Sequence, residues 1–116
     1  MSLWKFNDVE LDVDMGDADF QEKYEDAVTK MGETEKELQK VGKLSEITRS
    51  YCDMFYKFFD NVFGPKTGER LFEGKHNTQL CETAYFSFID HCTKEVEVIN
   101  KRKAANFKKY KVRSKK

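Results

Sequence analysis

This 116-residue chain has one proline and six glycines, so little interrupts a helix. Few breakers favour long helices over a many-turned β fold. Histidine is limited to His76 and His91, fifteen positions apart. The three cysteines, Cys52, Cys81 and Cys92, are an odd number without paired short spacing. That argues against a disulfide framework and for a reducing compartment. Cys81 and Cys92 share nearly one face of a helix and read as buried small hydrophobes. No apolar run approaches the ~20 residues of a membrane span, and none resembles a signal-peptide core. The expectation is a cytoplasmic protein with no membrane partner. Met1-Ser2-Leu3 reads as a cloning remnant without structural weight.

Catalytic signatures are missing too. There is no Walker loop, dinucleotide glycine fingerprint, nucleophile elbow or paired-histidine zinc motif. His91-Cys92 does not make a catalytic pair, because adjacent helical residues do not face each other. The carboxylate row Asp8, Glu10, Asp12, Asp14, Asp17 and Asp19 suggests calcium but fails the EF-hand register. Counted from Asp12, the required glycine falls on Asp17 and the closing glutamate on Lys23. A solvated strand face and a helix cap explain the row. The sequence therefore predicts a protein that is not an enzyme and holds no metal or cofactor.

What is abundant is aromatic residue and divided charge. Charged residues make up 36% and mean hydropathy is −0.78, values that alone lean towards disorder. Ten Phe, five Tyr and one Trp decide against it, because each buries a large apolar area. Residues 1–60 hold 15 acids and 8 bases, net −7, and residues 61–116 hold 6 acids and 13 bases, net +7. From Asp8 to Asp26 there are nine acids and one base, and from Lys101 to Lys116 nine bases and no acid.

Trp4 to Phe6 and Val9 to Val13 alternate apolar and polar residues about Asn7-Asp8, the pattern of a β-hairpin. Asp17 is placed to cap a first helix carrying Phe20, Tyr24, Ala27, Val28 and Met31, with Gly32 loosening it and Gly42 ending it. A second helix is expected from about Leu44 to Phe63, stopped by Gly64-Pro65. Thr67 to Phe72 reads as a short helix closed by Gly74. Asn77 caps a long last helix whose apolar pattern fades after Lys103. The predicted fold is mostly α (α+β): an N-terminal hairpin packed on about three long helices and one short one. It forms one domain over residues 4–103, followed by a basic, flexible tail at 104–116.

Two features suggest partners. The apolar positions of the second helix spread over roughly 200° of its circumference, wider than a one-sided stripe. Either that helix is central to the monomer, or Phe55, Phe59 or Phe63 meets another chain. The tail bases Lys108, Lys109, Lys111 and Arg113, with Phe107 and Tyr110 between them, read as a solvated, partly disordered terminus or, as a functional element, a protein-docking arm. The acidic front of a neighbouring copy would suit it, in a homo-oligomer. Nucleic acid is the weaker alternative, since no recognition motif accompanies the bases.

From Phe58 the chain reads Phe-Phe-Asp-Asn-Val-Phe-Gly, then Gly68, Leu71-Phe72-Glu73-Gly74-Lys75, Asn77, Cys81 and Ala84-Tyr85. With Phe6-Asn7-Asp8-Val9-Glu10-Leu11 and Asp19-Phe20-Gln21-Glu22-Lys23-Tyr24, this resembles small tail-module proteins of phages and prophages of Gram-positive bacteria, over about residues 4–103. The resemblance implies a tail assembly chaperone, a helical protein that binds the tape measure protein and recruits tail tube subunits. A structural tail or connector subunit of the virion, and a small nucleic-acid-binding protein, are the alternatives. Some relatives end in a different basic segment, so the resemblance assigns no contact to the tail.

Overall fold

A computed structural model describes residues 2–114, with side chains described to Tyr110. Strands β1 (Ser2–Phe6) and β2 (Val9–Val13) pair antiparallel, with Trp4 opposite Leu11 and Phe6 opposite Val9. Asn7 and Asp8 both take positive φ, 48° and 62°, as the tight hairpin turn requires. The alternation does what the sequence predicts. Trp4, Leu11 and Val13 are buried, while Lys5 and Glu10 meet outside in an ion pair. Ser2 and Leu3 are strand residues, so the expectation that they carry no structural weight is wrong.

Helix α1 (Ala18–Lys36) starts where predicted, with the Asp17 carboxylate accepting the Phe20 amide. It passes Gly32 unbroken but ends at Lys36, six residues before Gly42. Leu38 turns in from the connecting segment to pack on the core, and Gly42 (φ +123°) serves the turn into the next helix. Helix α2 (Leu44–Phe63) has the predicted bounds and stops at Gly64, φ +118°. Helix α3 (Thr67–Phe72) lies close against it. A Cβ at Gly68 would fall 2.8 Å from the Tyr56 Cα, so only glycine fits. Asp60 Oδ1 accepts the Gly68 amide there at 2.8 Å.

Helix α4 (Thr78–Ser114) begins under the predicted cap, Asn77 Oδ1 accepting the Leu80 amide at 2.9 Å. It does not end at 103. The helix runs unbroken to Ser114, because lysine, arginine and alanine are good helix formers and no Gly or Pro intervenes.

The core is an aromatic stack between α2, α4 and the hairpin. Phe88 meets the rings of Trp4, Tyr24, Phe58, Phe59 and Phe63 at centroid distances of 5.2 to 6.0 Å. Trp4 lies flat on Phe59 (5.5 Å, 4°) and donates its indole N–H to Ser87 Oγ. Such pairs add about 0.5–1.5 kcal/mol each beyond the area they bury. The hairpin is fixed at both ends. Asn7 Nδ2 donates to the Leu71 carbonyl, and Glu95 accepts from Ser2 Oγ and from the Met15 amide.

Candidate protein-interaction surfaces

The wide apolar face of α2 is now explained: α1, α3 and α4 all pack on it. Phe55 and Phe59 are core residues, 3% and 0% exposed: Phe59 offers no surface to another chain, and Phe55 shows only the part of its ring that lines the groove described below. This removes Phe59 from the candidate partner-binding residues. Phe63 is half-buried between Phe20 (6.0 Å) and Phe88 (5.4 Å), and its ring is largely occupied within the monomer. One helix's periodicity cannot tell how many neighbours cover it, which is why the sequence left the choice open.

The aromatics of the resembling block have structural work. Phe58, Phe59, Val62, Leu71 and Phe72 are buried, Gly68 permits the α2–α3 contact, and Asn77 caps α4.

Two other surfaces are open. The first is a groove of ≈ 310 Å³ along the outside of α2, between α1 and α4. Phe55 and Tyr85 form part of its lining, and Val28 and Phe86 stand at its mouth, 39% and 65% exposed. Tyr85 and Phe86 are in edge contact at 5.6 Å. Phe86 carries no role in the sequence reading. Its signal was available: it is a large aromatic one residue off the Ala84-Tyr85-Phe88 stripe, where a solvated helix would carry a polar side chain.

The second surface is the end of α4. Every described residue from Asn100 to Tyr110 is exposed. Lys108 and Lys109 project from this arm, and the Lys109 ammonium lies 5.8 Å from the centre of the Tyr110 ring. Lys111 and Arg113 continue the helix, but their side chains, like residues 115–116, lie outside the described residues. The candidate aromatics and the candidate bases are therefore not one site: the first are inside the body, the second on the arm.

Several buried polar groups have perturbed protonation. Burial pushes the Cys81 and Cys92 thiols up to about 12, aided by Cys52 and Glu95 respectively, and it raises Cys52 as well. All three stay protonated at neutral pH, which makes them poor nucleophiles. Tyr24 is likewise raised to about 12 by burial, and Tyr51 by burial and its hydrogen bond to Glu82.

Glu95 behaves oppositely. Burial raises it, but the hydrogen bonds from Ser2 and the Met15 amide outweigh that and hold it below the usual carboxylate range. Ser2 Oγ also lies 2.7 Å from His91 Nε2. Ser2 Oγ thus bridges the Glu95 carboxylate and the His91 imidazole. The cluster fastens β1 and the end of β2 to α4. Glu95 was legible as an anomaly, since it sits seven residues after Phe88 on the buried stripe.

Among the described residues no group of three or more His, Cys, Asp or Glu is placed to hold a metal ion, and no helix is long and apolar enough to cross a membrane.

Fold and surfaces together define a small helical protein with a hairpin-covered aromatic core, an open apolar groove and an exposed basic helix end. The chain matches, over residues 7–116, a family described as a family of unknown function (DUF6673), and it belongs to that family. No curated protein and no solved structure matches it.

Proposed function

We propose that this protein is a tail assembly chaperone of a phage or prophage, acting by binding and without chemistry. Its client would be the tape measure protein, with tail tube subunits recruited to the complex. The observation that carries the binding reading is Phe86, 65% exposed at the mouth of the apolar groove beside Val28. A large exposed aromatic costs solvation unless a partner covers it, and a groove flanked by two helices suits one apolar helix face. The resemblance in residues 58–85 supplies the identity of that partner; the groove supplies where it would lie.

Co-expression with the tape measure protein of the same tail module tests the reading. A stable complex is expected, and Phe86→Ser with Val28→Ser should abolish it while leaving the circular dichroism spectrum unchanged. Recovery of the two wild-type proteins as separate species would sink the proposal. A complex that ignores both substitutions would move the site elsewhere. Mass spectrometry of purified particles separates this role from that of a structural tail subunit, because a chaperone is absent from finished virions.

A further inference from the structure

The uncharged face of α2 does not stop at the groove beside Phe86. At about 100° per residue, Leu44, Tyr51 and Phe55 fall within about 40° of one another around the helix. Ile47, Thr48 and Met54 lie to either side of them, so this face carries no charged residue from the first turn to Phe55. Its two ends are covered differently. Phe55, in edge contact with Tyr85, is 3% exposed, whereas Leu44 is 80% exposed. Tyr51 is common to the groove and to a second hollow of ≈ 360 Å³, lined also by Leu38, Ile47 and Thr78. The two therefore form one channel, from Phe86 past Tyr51 to Leu44. Along α2 it spans about 16 Å, or three helical turns.

The channel is acidic at its middle. Glu35 lines the groove, and Glu82 accepts the Tyr51 hydroxyl at 2.5 Å. Burial and that bond push Tyr51 up to about 12, and the charges of Glu82 and Glu35 add to the rise. Both carboxylates thus act on one phenol. Among the described residues neither is in an ion pair. The base that lines the second hollow, Lys40, belongs to the loop after α1. Two unpaired carboxylates beside an apolar floor attract a cation and repel an anion.

Resting on the reading of the groove as a client site, we propose that its occupant is a basic amphipathic helix about three turns long. Its apolar face covers Phe86, Tyr51 and Leu44, and a lysine or arginine near its middle reaches Glu35 and Glu82. The stem of that side chain lies over the Tyr51 ring while its charged head stays at the wet rim. No strand lines the channel, so an extended peptide would find no sheet edge to pair with.

Two model peptides of about 18 residues test it against the full chain by fluorescence anisotropy. Each is a helix with leucine and alanine on one face, flanked in one peptide by lysine and in the other by glutamate. At about 150 mM salt, where distant surface charges are screened, the lysine peptide should bind at micromolar concentration. The glutamate peptide should bind at least about tenfold more weakly. Leu44→Ser and Phe86→Ser should each weaken the lysine peptide at least about fivefold, and both side chains are exposed, so the fold is untouched. Glu35→Gln with Glu82→Gln should bring the two peptides within about twofold of each other.

No binding of the lysine peptide at about 100 μM would overturn the proposal. So would lysine-peptide binding that survives Leu44→Ser and Phe86→Ser, or a preference for lysine that outlasts both carboxylates. Self-association of the chain that Leu44→Ser abolishes would give the channel to a second copy instead. The chaperone reading fails separately. A channel that takes the lysine peptide while the tape measure protein stays unbound removes that reading and leaves this inference standing. A tape measure complex indifferent to Leu44→Ser and to both glutamine substitutions does the reverse.

Discussion

Up to Ile99, one side of helix α4 is sealed by the hairpin, α1 and α2, and its side chains include Phe88, the hub of the ring stack. Beyond Ile99 the same helix is exposed at every described side chain, from Asn100 to Tyr110. The two halves obey one local rule, helix propensity, and differ in what covers them. In the body, tertiary packing fixes the helix and any change of side-chain volume is felt. On the arm only propensity contributes, so substitutions there should leave folding stability nearly unchanged.

The contrast should be widest at Phe59. Truncation to alanine removes a ring that is fully buried between Trp4, Phe72 and Phe88, and should cost about 3–5 kcal/mol by urea denaturation. That is a large part of the roughly 5–15 kcal/mol a domain possesses. A loss below 1 kcal/mol would mean the body is packed far more loosely than the ring contacts imply.

Gly68→Ala comes next. The added methyl meets the backbone of α2, which cannot swing aside, and should cost about 1–3 kcal/mol through displacement of α3. A neutral outcome would contradict the close approach.

The Glu95 latch should show in the acid limb of the stability curve. Its folded-state pKa lies below the ordinary 4.5, so its contribution is complete above that value and is lost as pH falls through the lower one. Glu95→Gln should cost about 1 kcal/mol at neutral pH and flatten the stability loss below pH 4.5. An unchanged acid limb would remove the latch from the account.

The smallest effect belongs to the arm. Phe107→Ser, at a side chain 73% exposed, should change folding stability by less than about 0.5 kcal/mol. A larger loss would show that the arm folds back onto the body, and the division between the two regions would fail.

Much of the body was legible in the sequence because local signals agreed with the tertiary outcome. Alternation about Asn7-Asp8 gave the hairpin, Asp17 and Asn77 capped the helices predicted for them, and Gly64-Pro65 stopped α2. Elsewhere two signals competed and the wrong one was weighted. Gly42 is a stronger breaker than anything near Glu37, yet Leu38 leaves the helical path to reach the core.

At the other end of the chain, fading hydrophobicity after Lys103 suggested a flexible tail, while propensity alone would have kept the helix going. The aromatics show a deeper limit. Phe55, Phe59 and Phe86 all lie on amphipathic helices, and only the packing of three helices around α2 decides which of them faces water. The Ser2–Glu95 contact spans nearly the whole chain, so no local pattern encodes it.

The unbroken helicity of α4 has a mechanical consequence. A disordered chain of about fifteen residues wanders to a root-mean-square distance of roughly 20 Å. A helix of that length ends at roughly 22 Å, so ordering gains almost no reach. What it gains is aim. The tip is held on a line set by how α4 seats against Phe59 and Trp4, and a 10° tilt of that seat would sweep the tip sideways by about 4 Å over such a length. Core substitutions that barely alter stability can therefore redirect Lys108 and Lys109, as a gun-sight is moved by its mounting and not by its barrel.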